Sequence, residues 1–260
     1  MKRCTLSILC LALVLLAASA AQAHFGMLIP NRSVVLEKSE ASLSLDLLFI
    51  HPMEMKGMDL VKPLEFGVVA DGKKVDLMGS LKEAKVLGHK AWKGADTVKR
   101  PGVYTYYMVP SPYWEPAEDC FIQHLTKVIV PAFGEEEGWE GPIGLKTEIV
   151  PLTRPFANYA GNIFMGQVLF NGKPAPGTAV EVEYYNKAGK YAPANDYCMT
   201  QVVLTDQNGV FGFVAPWAGW WGFAALSTDD QKIKHEGQDK DVELGAVLWT
   251  EFLAPVMGKK

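Results

Sequence analysis

Three histidines, His24, His51 and His124, are the residues of this chain whose types and positions best suit chemistry. An N-terminal histidine offers a metal ion two nitrogens, the α-amine and ring Nδ1, which together close a six-membered chelate. His24 becomes such a residue if the chain is cut after Ala23. Because a free α-amine has an ordinary pKa of about 7.7–8.0, it can lose its proton to a metal near neutral pH. Further imidazoles would complete a nitrogen-rich site of the kind that Cu(II) or Ni(II) prefers.

His51 and His124 are the candidates for those further imidazoles. His51 follows an apolar run and precedes Pro52, which places it at the predicted end of a strand, and His124 lies within another strand-like run. For each of them a hydrogen-bonded structural histidine is the alternative. The other two histidines, His89 and His235, lie in polar segments, and we expect both at the surface.

Methionine and acidic side chains follow His51 closely and leave the choice of metal open. They are Met53, Glu54, Met55, Met58 and Asp59. Thioethers favour Cu(I) and carboxylates favour harder ions, although a methionine-rich stretch more often fills gaps in a core. We therefore expect these methionines to pack rather than to bind metal.

The first 23 residues have the order of a secretory signal peptide. Lys2 and Arg3 precede an apolar run over residues 6–18, which is shorter than the roughly 20 residues of a membrane span. Small residues follow, and they allow a cut after Ala23 or one after Ala20. We expect the first cut, and a periplasmic product that does not span the membrane. The second cut would begin the chain at Ala21 and abolish the chelate.

Composition excludes several classes of function. The formal net charge is −4 at pH 7, which gives no electrostatic reason to bind nucleic acid. The sequence has no G-x-S-x-G or H-E-x-x-H motif and no phosphate-binding glycine loop. We therefore expect a binding protein and not an enzyme.

Short β-rich runs separated by turn residues predict an all-β fold of two β-sandwich domains. The runs span residues 42–49, 64–70, 102–109, 125–130 and 147–151. Asp71-Gly72 predicts one hairpin and Asn208-Gly209 another. The polar segment 79–99 could form a hairpin or a loop.

A boundary is predicted at the proline-containing segment 150–155. It divides the chain into a signal peptide (1–23), an N-terminal sandwich with the metal site (24–152) and a C-terminal sandwich (153–260). The second unit resembles transthyretin-like and carboxypeptidase-regulatory-like modules, through GQVLFNGKPAPG and the alternating aromatics of VFGF. That resemblance concerns fold rather than function.

Cysteines and aromatic residues leave further alternatives open. Cys120 and Cys198 remain after cleavage, and in an oxidising compartment they could form a disulfide or stay as two buried thiols. The aromatic residues form one cluster over residues 104–114 and another over 217–221. We expect both clusters in the core rather than stacked on sugars.

Three segments resemble a family of exported nickel/cobalt uptake components that carry a domain of unknown function. They read AHFGMLIP around His24, FIHPMEMKGMDLVKPLEFGV around His51 and EDCFIQHLTKVIV around His124. The resemblance implies Ni(II) or Co(II) as bound cargo, and inner-membrane importer components as partners. Its matching positions are His24, His51 and His124. A copper protein or copper enzyme with a histidine brace, and a binding module without metal, are the alternatives.

Overall fold

A computed structural model describes residues 24–257, and these residues form β-strands and short 3-10 helices without any α-helix. The strands of the first half are β1 (Phe25–Pro30), β2 (Ser42–His51), β3 (Lys56–Met58), β4 (Glu65–Ala70), β5 (Lys73–Asp76), β6 (Lys82–Val86), β7 (His89–Thr97), β8 (Gly102–Val109), β9 (Tyr113–Glu115), β10 (Cys120–Ala132) and β11 (Thr147–Pro151). Those of the second half are β12 (Asn158–Tyr159), β13 (Ile163–Phe170), β14 (Lys173–Pro174), β15 (Ala179–Tyr184), β16 (Gln201–Leu204), β17 (Val210–Val214), β18 (Gly219–Thr228), β19 (Ile233–His235), β20 (Gln238–Lys240) and β21 (Val242–Leu253). The 3-10 helices are Lys38–Glu40, Met78–Ser80 and Asp196–Cys198.

The strands form three main sheets and one small hairpin. The first sheet has the order β1-β2-β7-β6, with β3 beside β2. The second has ten strands, in the order β16-β15-β18-β21-β10-β8-β4-β5 with β12 and β9 at its margins. The third has the order β11-β13-β14 with β17 beside β13, and β19 pairs with β20. The predicted all-β, sandwich-type fold is confirmed.

Strand β10 lies in the middle of this arrangement and is covered on both faces. Val128 and Val130 pack against residues of the first sheet, in a core that also contains Leu45 and Trp249. Ile129 points the other way and packs in a second core with residues of the third sheet. A strand buried on both faces needs a continuous apolar run instead of an alternating one, which explains the composition of residues 128–132.

The two halves of the chain share the large second sheet. Strand β10 from the first half pairs in parallel with β21 from the second half, from Phe121 opposite Val242 to Val128 opposite Trp249. The division predicted at residues 152 and 153 is not tested by this pairing and stays a prediction. What the pairing does establish is that the elements around His124 are held by both halves.

The turn predictions had mixed outcomes. Asp71-Gly72 does connect β4 and β5 as a hairpin, and segment 79–99 contains the hairpin of β6 and β7. Asn208-Gly209 does not form a hairpin, because β16 pairs with β15 while β17 pairs with β13. Its tight turn is held by the Asp206 carboxylate, which accepts hydrogen bonds from the N–H groups of Asn208 and Val210. The turn therefore carries the chain from one sheet to the next.

The two cysteines of the described residues do not match either alternative predicted for them. Cys120 and Cys198 are both free, and neither is fully buried, so neither the disulfide nor the pair of buried thiols is found.

Within residues 24–257 no helix has the length and apolar character needed to cross a membrane. The predicted signal peptide lies outside the described residues.

Candidate metal centre

His24 and His51 face each other across the pair of strands β1 and β2. Phe25 lies opposite Ile50 in the antiparallel register, and continuing that register by one residue places His24 opposite His51. Residues directly opposite each other on antiparallel strands have neighbouring side chains. The centroids of the two imidazole rings are 4.6 Å apart at an interplanar angle of 50°. Both histidines are buried, with 8% and 4% of their surface exposed.

Aromatic side chains line this pair of histidines. Phe49 stacks on the ring of His24 with a centroid distance of 5.6 Å, and Tyr113 lies 6.5 Å from the same ring. Phe49 also contacts the ring of His124 edge-on at 5.9 Å. Such a surrounding excludes water and strengthens any interaction with a charged group placed there.

The Glu115 carboxylate fixes which nitrogen of His24 carries the proton. His24 Nε2 lies 3.0 Å from Glu115 Oε2. Because a carboxylate only accepts hydrogen bonds, Nε2 is the protonated nitrogen and Nδ1 keeps its lone pair. Burial and the neighbouring His124 lower the pKa of His24 more than Glu115 raises it, so the neutral ring is favoured. This arrangement leaves Nδ1, the nitrogen nearest the backbone, as the donor available to a metal.

His124 lies beside this pair but makes a different hydrogen bond. The backbone N–H of Gly26 donates to His124 Nδ1 at 3.3 Å. A neutral imidazole with Nδ1 as acceptor carries its proton on Nε2, which lies 3.8 Å from Glu243 Oε1 and makes no hydrogen bond with any described residue. His124 therefore offers no lone pair to a metal in this arrangement. The prediction that it is a ligand stays untested, and its contact with Gly26 favours a role in positioning β1.

Gly26 is the residue through which β1 is anchored to the large sheet. Its N–H is held by His124, and its carbonyl accepts a hydrogen bond of 2.9 Å from Trp249 Nε1. A Cβ at this position would lie 2.5 Å from Thr126 Oγ1, so only glycine allows β1 to approach β10 this closely. Because Gly26 is two residues from His24, these contacts fix the start of the strand that carries the candidate ligand.

No three His, Cys, Asp or Glu side chains within residues 24–257 come together in a way that could hold a metal ion. The site predicted from the sequence has three side chains, His24, His51 and His124, together with the α-amine of His24. The hydrogen bonds described above leave His24 and His51 as candidate ligands, with the amine as the third donor. In the uncut chain that amine is a peptide nitrogen.

Some residues around the site had no signal in the sequence. Glu115 comes from β9 and Trp249 from β21, and neither has a spacing that relates it to His24. His89 is partly exposed beside Asp59, at 3.4 Å, as expected. His235 does not lie free at the surface, because its ring stacks on Trp114 at 3.9 Å. The hairpin of β19 and β20 thus covers the strand that carries Glu115.

Strand β15 and Asn186, two residues beyond its end, hold the segment that follows His51. The carboxyl group of Glu183 accepts a hydrogen bond from the N–H of Met53 at 3.1 Å and another from the Thr200 hydroxyl. Asn186 donates from its backbone N–H to the Pro52 carbonyl at 3.1 Å. Met53 is buried, and Met55 and Met58 pack against the core, as expected for packing residues. The position of His51 therefore depends on a buried carboxyl group in the second half of the chain.

We expect Glu183→Gln to flatten the pH dependence of stability. Burial raises the pKa of Glu183 from an ordinary 4.5 to about 8. Because the raised value means that ionisation is penalised only in the folded state, the wild type should lose stability as pH rises from 4.5 to 8. By pH 7 the loss from this group is on the order of 3 kcal/mol. Glutamine keeps an oxygen for the Met53 N–H and cannot ionise.

Urea unfolding of both proteins between pH 4.5 and pH 8 measures this effect. Glu65→Gln is the matched control, since Glu65 is exposed on β4 and should retain the wild-type slope. Parallel curves for Glu183→Gln and the wild type would contradict the prediction.

Comparison with known proteins gives a family but no activity. A family model described as "Domain of unknown function (DUF4198)" matches residues 21–229. No functionally curated protein matches the chain. The description assigns neither a ligand nor a reaction, so the expected association with nickel or cobalt uptake stays a prediction.

Solved structures similar to the chain include a domain pair of intimin and an adhesin. The D0-D1 domain of intimin is 10% identical, with a TM-score of 0.23, over 86% of this chain and 99% of that chain. The Yersinia pseudotuberculosis adhesin InvE is 9% identical, with a TM-score of 0.25, over 85% of this chain and 58% of that chain. Likenesses this weak carry no argument about what the chain does.

Proposed function

We propose that this chain, which belongs to the DUF4198 family, is an exported protein that binds a divalent transition-metal ion at its processed N-terminus. The ligands are the α-amine and Nδ1 of His24 and the imidazole of His51. Glu115 and His124 position the first of these residues. The bound ion is cargo, and the chain carries out no reaction on it.

The observation that supports the proposal is the hydrogen bond between His24 Nε2 and Glu115. A metal-binding histidine usually donates its other ring N–H to a carboxylate, which fixes the ring and makes it a better ligand. Here the carboxylate lies on Nε2, 3.0 Å away, and this leaves free the one nitrogen that can form a chelate with the amine. The adjacent ring of His51, at 4.6 Å, supplies a third nitrogen.

Ni(II) or Co(II) is the cargo that we propose first. The basis is the resemblance of the His24, His51 and His124 segments to nickel/cobalt uptake components. The chain would then capture the ion in the periplasm and deliver it to importer components of the inner membrane. A site with three nitrogen donors from two residues keeps open positions, which suits an ion that must be passed on.

Copper is the second candidate, and the same pair of histidines favours it. Nitrogen donors arranged across two adjacent strands suit the planar geometry of Cu(II), which also binds most N-donor sites more tightly than Ni(II). The metal content of protein isolated from the periplasm separates the two roles. A nickel-handling protein should be isolated with nickel, whereas a copper protein should be isolated with copper.

The test is calorimetry with Ni(II) on protein whose chain begins at His24. We expect one ion per chain, and we expect His51→Ala to weaken binding by more than the roughly 10–100-fold that loss of an outer-shell partner costs. His89→Ala is the matched control, because that histidine is partly exposed and lies outside the site. Equal affinities for His51→Ala and His89→Ala would overturn the proposal.

A further inference from the structure

A cavity lies on the side of β15 and β18 that faces the third sheet. It has a volume of about 480 Å³, within the range of roughly 300–1,000 Å³ typical of small-molecule sites. Its walls come from strands β15, β17 and β18 and from the segment of residues 192–199. The candidate metal ligands do not line it.

Aromatic rings form one wall of this cavity. Tyr184, Trp217 and Trp221 line it, and Tyr191 stacks on Trp217 with a centroid distance of 4.5 Å and an interplanar angle of 25°. Trp217 also contacts Tyr184 at 5.7 Å and Trp221 at 5.2 Å. Each ring is thus supported by another, so the wall keeps its shape without a ligand.

The polar groups of the cavity are few and uncharged. None of the residues that line it carries a charge, and the lining includes Met53, Phe213 and Gln201. Such a lining disfavours an anion or a cation, because a buried charge without a partner is costly. It equally disfavours a sugar, whose many hydroxyl groups would find few partners.

We propose that the cavity binds an uncharged ligand that has one or two flat rings. The rings stack on the aromatic wall formed by Tyr184, Trp217 and Trp221. This site is independent of the metal centre, and a failure of either proposal leaves the other intact.

The probe is prodan, an uncharged naphthalene dye with a propionyl oxygen, whose emission shifts to the blue in apolar surroundings. We expect saturable, blue-shifted emission with the wild type, and binding weaker by about 3- to 10-fold for Trp217→Leu, which removes a stacking ring from the wall. Trp139→Leu is the matched control, because Trp139 does not line the cavity. Ala194→Trp, which fills space at the cavity wall, should abolish binding.

A second measurement does not depend on any variant. Cys198 is exposed and lines the cavity, while burial raises the pKa of Cys120 to about 11 and slows its reaction with thiol reagents. We expect prodan to slow the modification of Cys198 by iodoacetamide. Non-saturable emission, unchanged reactivity of Cys198, or equal affinities for Trp217→Leu and Trp139→Leu would overturn the proposal.

Discussion

A protein whose chain begins at His24 should bind Ni(II) at least about 100-fold more tightly than the same protein beginning at Ala21, because a lost ligand costs more than the roughly 10–100-fold of a lost outer-shell partner. In the longer form His24 is the fourth residue, and its nitrogen is part of a peptide bond. The side chains of His24, His51 and Glu115 are identical in the two forms. The difference in affinity therefore measures the contribution of the α-amine alone.

Both forms correspond to cuts that the signal sequence allows, which makes them a matched pair. The fold should be indifferent to the three extra residues, because β1 is held from Gly26 onward by His124 and Trp249. Equal melting temperatures would verify this. Calorimetry with Ni(II) then gives the affinities, and equal values for the two forms would contradict an amine ligand.

A third form tests the chelate more finely. If the chain began at Ala23, its amine, the amide nitrogen of His24 and Nδ1 could surround Ni(II) in a square plane without any help from His51. His51→Ala should therefore weaken binding in the form beginning at His24 and have little effect in the form beginning at Ala23. The dependence on His51 reports whether the ion lies between the two strands.

The strands could be predicted from the sequence wherever burial has a simple pattern. Residues 102–109 and 147–151 were predicted with the bounds that β8 and β11 have, because turn residues flank each run. The strand-like run around His124 is confirmed, since β10 begins at Cys120. The predicted run of residues 125–130 stops short of the end of β10 at Ala132, because Pro131 is a residue that usually ends a strand.

The arrangement of the strands could not be predicted in the same way. Asn208-Gly209 indicates a tight turn, and a tight turn is present, but whether its flanking strands pair depends on where their apolar faces are buried. Val203 on β16 and Phe211 on β17 pack in the same core from opposite sheets. The turn residues specify local geometry, and the core decides which strands become neighbours.

The candidate site shows the same limit. The sequence indicates His24 and His51, because a cut site and a strand end mark them. Glu115 carries no such mark, although its contact with His24 determines which nitrogen is available. His124 is marked as clearly as His51, yet its Nδ1 accepts a hydrogen bond from Gly26. Hydrogen-bond partners across sheets separate a ligand from a positioning residue, and spacing does not reveal them.

Glu148→Ala should destabilise the protein by about 3–5 kcal/mol, the cost of breaking a buried ion pair from one side. Lys127 Nζ on β10 lies 2.7 Å from Glu148 Oε2 on β11, and the two side chains are 1% and 2% exposed. The same carboxylate accepts hydrogen bonds from the N–H groups of Ile143, Gly144 and Leu145. Alanine would leave one buried cation without a counter-ion and would remove the acceptor shared by the three loop N–H groups.

Two further variants separate the charge from the hydrogen bonds. Burial lowers the pKa of Lys127 even though Glu148 opposes this shift, so desolvation is the dominant cost at this pair. Glu148→Gln keeps an acceptor for the loop but leaves Lys127 without a counter-ion. Adding Lys127→Met to Glu148→Gln should therefore recover most of the lost stability, because it removes the unpaired charge and retains the hydrogen bonds.

Urea unfolding at neutral pH measures all three variants. Asp239→Ala is the control, because it breaks an ion pair with Lys234 whose side chains are 74% and 59% exposed, and exposed pairs contribute little. If Glu148→Ala shifted the unfolding midpoint no more than Asp239→Ala, the buried pair of Lys127 and Glu148 would contribute no more to stability than an exposed ion pair. If Lys127→Met failed to rescue Glu148→Gln, the loss would come from the loop 143–145, and the carboxylate would act chiefly as an acceptor for its backbone.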